Sequence, residues 1–394
     1  MALDFQQVRY QINKMGESAP GRLRELFEKK KKAEQLLTSN TLDITALQEK
    51  VRSTVAVNKN LRCAFPGSEP LDHQSDSPPL PTSMTILAAD GSQINPNRYA
   101  AVDYCLVNVG AILMVLGEPA PPVTEIRTKL YFNDQMYTTS GRVTESLVAL
   151  MRDLGERQFL AELTQDLKPP VITLTDGPLE IWEASESRIG AKDYQEKFDL
   201  YLKALRKLQE NSVSTAGYID KPHSDLIVRL LEIANLPLDQ ISRAGRDYRP
   251  FLGVTDVDLL KNLLKPGQRS AIFQIQSRTV KEYDPDLRIN FFYVNVGRDK
   301  KHPYLVRVEL PAWVTADRSM LDDLHAVLLQ QCQILGSRTY PYIIHRSHEV
   351  AVVTKDEKNQ VERLIALEFY KRGLNLSEVS QKQALKDLPG RTSV

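Results

Sequence analysis

Two aspartates stand in the same local pattern, after a short apolar run and before a glycine, and they are the first candidates for chemistry. Asp90 follows the apolar residues 86–89, and Asp176 follows VITLT at 171–175. A glycine after such a run is a turn signal, so each acid is predicted to stand at the end of a buried strand. A carboxylate there needs a partner or a metal ion, although an Asx-type turn would explain either acid alone. Two acids at neighbouring strand ends would together suit a divalent cation, which prefers oxygen ligands.

The patterns around these acids predict a mixed α/β domain. Apolar segments at 104–117 and 124–133 follow the first strand through short connections, which is typical of three antiparallel strands. A helical period at 141–167, a fourth strand, an amphipathic helix at 192–211, a fifth strand and another helix follow. The predicted order is therefore βββαβαβα. Beyond residue 237 the sequence predicts further strands, two of them forming a hairpin, and helices at 256–264, 320–335 and about 355–372.

The polar N-terminal sequence and a proline-rich stretch set the predicted domain boundaries. Residues 1–63 carry apolar positions at helical spacing and are predicted to form a helical arm for dimer or partner contacts. Residues 64–83 are rich in Pro and Ser and are predicted to be a linker. The main domain would span residues 84–372, with a frayed tail at 373–394.

Composition excludes several classes of protein. The 394 residues are 42% hydrophobic, and 51 basic against 50 acidic residues leave a net charge of +1, so nucleic acid would have to be held by a local surface. No apolar stretch is long enough to span a membrane and the N-terminus lacks a signal-peptide core, which predicts a cytoplasmic protein. Three distant cysteines argue against a disulfide framework or a thiolate zinc site. Motifs of ATPases, dehydrogenases and serine hydrolases are missing from the sequence.

The predicted order, with an Asp on strands one and four, is similar to the ribonuclease H-like fold, here with an N-terminal helical arm. Within that superfamily the chain resembles the NurA family of DNA-end-processing nucleases, over about residues 80–370. The motifs that carry the resemblance are ADGS at 89–92, Arg152 and Glu156 four residues apart, TDGPL at 175–179, and YPYIIHRSHEVAVV, in which His348 follows Tyr340 by eight residues.

The resemblance implies a metal-dependent nuclease that cuts DNA as a 5′ to 3′ exonuclease and a single-strand endonuclease. Its catalytic residues would be Asp90, Glu156, Asp176, Tyr340 and His348, with all of these except the tyrosine as ligands of Mn²⁺, or of Mg²⁺ as the alternative metal. The family works as a homodimer docked on a hexameric HerA-type helicase-translocase. The implied setting is DNA end processing in double-strand break repair.

Several of these residues have competitors. Glu145 shares a helical face with Glu156 but lies on the order of 16 Å along the axis, so both acids cannot reach one metal. An exposed Glu156 paired with an arginine is the structural alternative. His345 competes with His348, whose imidazole would either ligate the metal or carry a proton. Tyr340 would hold a phosphate oxygen or the attacking water.

Lys221, Arg98 and Arg346 are the predicted DNA contacts, although Lys221 before a proline is equally well explained as a turn residue. Two other functions stay open at this stage. One is a catalytically inactive ribonuclease H-like module that binds or regulates a DNA-translocating ATPase. The other is a metal-dependent ribonuclease on the same fold, which would recognise the 2′-hydroxyl.

Overall fold

The computed structural model describes residues 3–39, 43–97, 102–139, 141–181, 190–245 and 247–373. Arg98 and nearly all of the predicted tail lie outside these ranges. The chain divides into two compact units, each made of two separate stretches of sequence. The first unit comprises Met1–Pro79 and Tyr218–Arg318, and the second comprises Leu80–Gly217 and Ser319–Val394. The predicted main domain therefore contributes residues to both units.

Both sequence stretches of the first unit contribute helices. These helices are α1 (Phe5–Leu37), α2 (Ile44–Val57), α5 (Leu226–Asn235), α6 (Asp256–Leu260) and α7 (Ala312–Ala316). The carboxylates of Asp4 and Asp43 accept hydrogen bonds from backbone N–H groups in the first turns of α1 and α2, which satisfies donors that a helix start leaves unpaired. Within α1 the buried residues are Ala33 and Leu37, so its N-terminal two thirds are largely solvated.

Strands of the first unit form an antiparallel arrangement. They are β1 (Cys63–Pro66), β2 (Gln74–Ser75), β10 (Arg269–Ser270), β11 (Phe273–Gln276), β12 (Ile289–Asn295) and β13 (Leu305–Pro311). Strands β1, β11, β12 and β13 lie side by side in that order, and β10 pairs with β2 and β12. The predicted hairpin near the end of this unit is confirmed by the antiparallel pairing of β12 with β13.

The segment predicted as a linker at 64–83 differs from that expectation. Its first residues belong to β1, in which Cys63 and Ala64 are fully buried and pair with β11. Proline content suggested a linker, but Pro66 ends a strand that lies at the edge of the sheet, where a missing N–H is tolerated. Residues 74–75 form a second short strand.

The second unit contains the sheet that the sequence predicted. Its strands are β3 (Met84–Ile94), β4 (Tyr104–Leu116), β5 (Val123–Phe132), β6 (Tyr137–Thr138), β7 (Gly141–Arg142), β8 (Val171–Asp176) and β9 (Val213–Ile219), the last crossing into the first unit after Gly217. The order in the sheet is β9, β8, β3, β4, β5, with β3, β4 and β5 antiparallel and β8 parallel to β3. Helix α3 (Glu145–Leu163) connects β7 to β8, and α4 (Ala191–Glu210) precedes β9. The predicted α/β fold class is confirmed.

The prediction that Asp90 stands at the end of a strand was wrong. Strand β3 continues through Gly91 to Ile94, and Asp90 pairs with Gly110 of β4. Glycine at position 91 reflects crowding and not a turn, because a Cβ there would lie 2.5 Å from Cγ of Arg152. The prediction for Asp176 is confirmed, because strand β8 ends at this residue.

Three C-terminal helices complete the second unit. They are α8 (Arg318–Ile334), α9 (Tyr342–Ala351) and α10 (Lys355–Lys371). Val353, at the connection between α9 and α10, packs with Val361 and Ile365 of α10 on a buried cluster of Ile94, Tyr104 and Leu106. Short 3-10 helices lie at Asn133–Met136, Leu238–Arg243, Thr279–Glu282 and Pro285–Leu287. Within the described ranges, no helix has the length and apolarity that a bilayer crossing requires.

Candidate active site

A cavity of about 590 Å³ in the second unit is lined by four of the predicted site residues. Asp90 comes from β3, Glu156 from α3, Asp176 from the end of β8 and His348 from α9. Ala89 of β3 lies opposite Thr175 of the parallel strand β8. Asp90 and Asp176 are the next residues of these two strands, so they occupy neighbouring positions in the sheet. The structure thus places these side chains on one cavity, and their catalytic roles stay predictions.

Asp90 is held from two sides. Its Oδ2 lies 2.6 Å from Nδ1 of His348, and its Oδ1 accepts a hydrogen bond from the N–H of Gly91 at 2.8 Å. The side chain of His348 is 60% exposed and that of Asp90 is 15% exposed. Because Nδ1 of the imidazole faces the carboxylate, Nε2 is the ring nitrogen available to a substrate.

The position of His348 depends on how α9 is anchored to the sheet. The carbonyl oxygen of Ala351, at the end of α9, accepts hydrogen bonds from Oγ of Ser92 and from Nδ2 of Asn108. Oγ of Ser92 also accepts a hydrogen bond from the backbone N–H of Val353 at 3.0 Å. A Cβ on Gly110 would lie 2.8 Å from the backbone N of Ala351, so the glycine allows the helix to approach β4. These contacts bring the turn of α9 that carries the histidine over Asp90.

Glu156 is a buried acid of the cavity, with 4% of its surface exposed. Its Oε2 accepts a hydrogen bond from Nη1 of Arg157 at 2.8 Å, and its Oε1 lies 3.8 Å from Nε of Arg152. Burial raises the pKa of Glu156 to about 8; the charge of Arg157 opposes this rise, and the charges of Asp153 and Asp90 add to it. A further positive charge, such as a bound cation, would stabilise the ionised form of this buried carboxyl group.

The predicted ligands in the cavity suit a hard divalent cation, since Asp90, Glu156 and Asp176 offer carboxylates and His348 offers an imidazole. In the described parts of the chain, however, no group of three or more His, Cys, Asp or Glu side chains is arranged so that it could hold a metal ion. One reason is that both carboxylate oxygens of Asp90 already have partners, namely His348 and the backbone N–H of Gly91. The residue types in the cavity therefore fit a divalent metal ion. To bind one, the carboxylates and the imidazole would have to move closer to one another.

The other predicted site residues within the described ranges are not among the side chains that line this cavity. Tyr340 precedes α9 by two residues and is not among the side chains that line the cavity. Glu145 is exposed at the start of α3, Nε2 of His345 lies 3.7 Å from Glu349, and Arg346 pairs with the same glutamate. Lys221 is exposed in the first unit with a φ of 44°, a backbone conformation that belongs to a turn. The choices of Glu156 over Glu145 and His348 over His345 thus agree with placement in the cavity.

Sequence reasoning missed several residues that line the cavity. Arg157 and Glu180 are buried charged residues there, and Asp153 lies at its wall. Glu180 directly follows the TDGPL motif, and an acid inside the apolar run PLEIW is a signal that could have been used. Nothing in the sequence indicated Arg157, because its position beside Glu156 is not a helical-face relation.

A family model described as the NurA domain matches residues 84–353, more than half of the chain. No curated protein matches the sequence significantly. Among solved structures, the NurA nuclease from Sulfolobus solfataricus is 12% identical, with 83% of this chain and 92% of that chain covered and a TM-score of 0.49. A structure of NurA with manganese is 11% identical, with 89% and 98% covered and a TM-score of 0.39.

Endonuclease V from Ciona intestinalis, solved in complex with DNA, is 13% identical, with 81% and 100% covered and a TM-score of 0.30. These likenesses are too distant to assign a function, and the family model is the finding that classifies the sequence. Its match begins at the first residue of β3 and ends beyond α9, so it includes every element that lines the cavity. The chain therefore belongs to the NurA domain family.

Proposed function

We propose that this protein is a metal-dependent nuclease that hydrolyses DNA. One observation carries the proposal: acids from three separate elements and a histidine line a single cavity in a chain of the NurA domain family. Phosphodiester hydrolysis requires that negative charge on the scissile phosphate be neutralised and that water be made nucleophilic, and a bound divalent cation supplies both effects. Asp90, Glu156 and Asp176 would hold that cation.

The protein side chains have further tasks in this proposal. Asp90 orients the imidazole of His348 through Nδ1, which leaves Nε2 to ligate the metal or to exchange a proton with the substrate. Arg152 lines the same cavity and is 34% exposed, so a phosphate entering the cavity would meet its positive charge. Tyr340 stays a proposed contact of a phosphate oxygen or of the attacking water.

The finer features of the proposal follow from the resemblance to the NurA family. We propose 5′ to 3′ exonuclease and single-strand endonuclease activities, a preference for Mn²⁺ over Mg²⁺, and work in the cytoplasm on DNA ends during double-strand break repair. The chain would act as a homodimer with a HerA-type hexameric ATPase. Lys221, Arg98 and Arg346 stay proposed contacts of the DNA backbone.

The direct test is cleavage of labelled single-stranded DNA by the purified full-length protein with Mn²⁺. We expect Asp90→Asn to lower the rate by roughly 100-fold or more, because a metal ligand contributes several kcal/mol to transition-state stabilisation. The matched control is Glu145→Gln, which neutralises an exposed acid of α3 outside the cavity and should leave the rate unchanged. Undiminished cleavage by Asp90→Asn would remove the basis of the proposal.

A catalytically inactive binding module is the second candidate, and one observation favours it. The described side chains do not present three metal ligands in binding geometry. Calorimetry separates the two functions, since an inactive module would show no heat with Mn²⁺ yet bind a HerA-type ATPase. Competition between matched DNA and RNA strands tests the remaining alternative of a ribonuclease.

A further inference from the structure

Arg157 is a buried cation in the cavity wall whose side chain is only 3% exposed. Charged side chains are rarely buried to this degree unless they are paired. Nη1 of Arg157 donates a hydrogen bond to Oε2 of Glu156 at 2.8 Å, and Nη2 donates to the carbonyl oxygen of Pro178 at 3.5 Å. Nε is buried without a hydrogen-bond partner. Two contacts, made by the two arms of one guanidinium group, therefore hold this side chain.

These two partners belong to different sides of the site. The second carboxylate oxygen of Glu156, Oε1, would lie only 2.9 Å from a Cβ placed on Gly91, so this oxygen lies against β3 next to Asp90. Pro178 comes two residues after Asp176, in the turn that follows β8. Glu156 thus approaches β3 at Gly91 and accepts a hydrogen bond from Arg157, whose other arm reaches the turn after β8.

We propose that Arg157 is a positioning residue that orients Glu156, held between β3 and the turn after β8, for binding a divalent cation. The inference rests on the proposed metal-dependent function, and it assigns Arg157 no contact with metal or substrate. Groups that orient metal ligands typically change metal affinity by 10- to 100-fold when they are replaced. The planar guanidinium has two divergent donors that reach both partners at once, which a lysine ammonium on a flexible stem does not reproduce.

Arg152 provides a matched control in the same helix. It lies one turn before Glu156, lines the same cavity and carries the same charge. Its Nε and Nη2 donate to Oδ1 of Asp153, and the distance from Nε to Oε1 of Glu156 is 3.8 Å. Replacing Arg152 by Lys therefore removes a guanidinium group near Glu156, keeps the positive charge and leaves the contact between Arg157 and Pro178 in place.

The experiment measures Mn²⁺ binding to the full-length protein by electron paramagnetic resonance of free Mn²⁺ and by calorimetry. We expect Arg157→Lys to weaken Mn²⁺ binding by about 10- to 100-fold and Arg152→Lys to change it by less than about threefold. In cleavage assays, Arg157→Lys should raise the half-saturating Mn²⁺ concentration more than it lowers the rate at saturating metal. Thermal melting establishes that each variant is folded.

The outcomes separate this inference from the function on which it rests. If the wild-type protein neither binds Mn²⁺ nor cuts DNA, the proposed function fails and takes the inference with it. If wild type binds Mn²⁺ and folded Arg157→Lys binds it equally well, the role of Arg157 is refuted and the proposed function stands. Should Arg157→Lys not fold, Arg157→Gln, which keeps an N–H donor, decides by the same criterion. Failure of both variants to fold would make Arg157 a structural residue and overturn the proposal.

Discussion

Gly91 shows at the scale of one residue how a missing side chain shapes the candidate site. A Cβ at this position would lie 2.5 Å from Cγ of Arg152 and 2.9 Å from Oε1 of Glu156. The absence of a side chain at position 91 therefore lets Arg152 and Glu156 of α3 pack against β3, at the cavity that Asp90 also lines. The sequence pattern pointed to this glycine, but it could not distinguish a turn from close packing, since both favour the same residue.

Replacing Gly91 by Ala should displace Glu156 and lower the cleavage rate by at least about tenfold, because misplacing a catalytic group by a fraction of an ångström to an ångström has effects of this size or larger. Thermal melting should show that the variant still folds. The control is Gly16→Ala in α1, where an added Cβ meets nothing within 4 Å. That change should keep full activity and raise stability by roughly 0.5–1 kcal/mol. Full activity in Gly91→Ala would contradict the packing argument.

The pKa of Glu156 predicts how the stability of the metal-free protein depends on pH. Burial raises this pKa from 4.5 to about 8, so the folded protein keeps a proton that the unfolded chain has already lost. The contribution of Glu156 to the free energy of unfolding is therefore fully present below pH 4.5. It is lost as the pH rises from 4.5 towards 8, by at most about 1.4 kcal/mol per pH unit. Urea unfolding of wild type and Glu156→Gln between pH 5 and pH 8 checks this. The glutamine variant should show the shallower decline, and equal slopes would contradict the prediction.

At the scale of elements, the site depends on one hydrogen-bonded junction between α9 and the sheet. Ser92 and Asn108, from neighbouring strands, both donate to the last carbonyl of α9. This junction decides where His348 lies, although neither residue lines the cavity itself. Loss of a buried hydrogen bond with its partners left unpaired typically costs about 1–3 kcal/mol.

Ser92→Ala should therefore destabilise the protein by about 1–3 kcal/mol and lower the cleavage rate, because the helix that carries His348 loses an anchor. Chemical denaturation and the cleavage assay measure the two effects. Ser77→Ala is the matched control, since Ser77 is exposed and its hydroxyl bonds only to the adjacent Pro78. An unchanged stability of Ser92→Ala would show that Asn108 alone holds the junction.

Elements with clear periodicity could be predicted from sequence, and those defined by distant partners could not. The continuous apolar run of β4 and the amphipathic pattern of α4 correctly indicated a strand and a helix, because a local sequence pattern marks those elements. Strand β1 was hidden in a proline-rich stretch, since its pairing partner β11 lies more than 200 residues later. The site was predictable at Asp90 and Asp176 for a similar reason, as each follows a buried run. Arg157 could not be predicted from the sequence, because it is linked to the site by a hydrogen bond to Pro178, which lies 21 residues later.

At the scale of the whole molecule, the exposed face of α1 is the clearest surface for association. Leu23 and Phe27 are 65% and 64% exposed, and they lie one helical turn apart. Leu23 also lines a groove of about 590 Å³ that includes Met15, Leu26 and Leu252. An isolated helix gains little from exposed apolar side chains, so this face suits the dimer or partner contacts that we propose for the arm.

The double change Leu23→Glu and Phe27→Glu should weaken the proposed homodimer and leave the free energy of unfolding within about 0.5 kcal/mol for each residue, as is usual for exposed positions. Light scattering coupled to size exclusion measures the dimer, and denaturation measures stability. Gln7→Glu with Gln11→Glu adds the same charge to exposed positions of the same helix and should not affect assembly. Unaltered dimerisation after the first change would place the interface elsewhere on the chain.

The second unit is built from two separated stretches, and Asp90 meets a histidine that lies 258 residues later. During synthesis, the ribosome therefore releases all three acids long before the segment that completes their surroundings. Under the proposed mechanism, a growing or prematurely terminated polypeptide would carry the carboxylates without their imidazole, and we expect it not to cut nucleic acid near the site of translation.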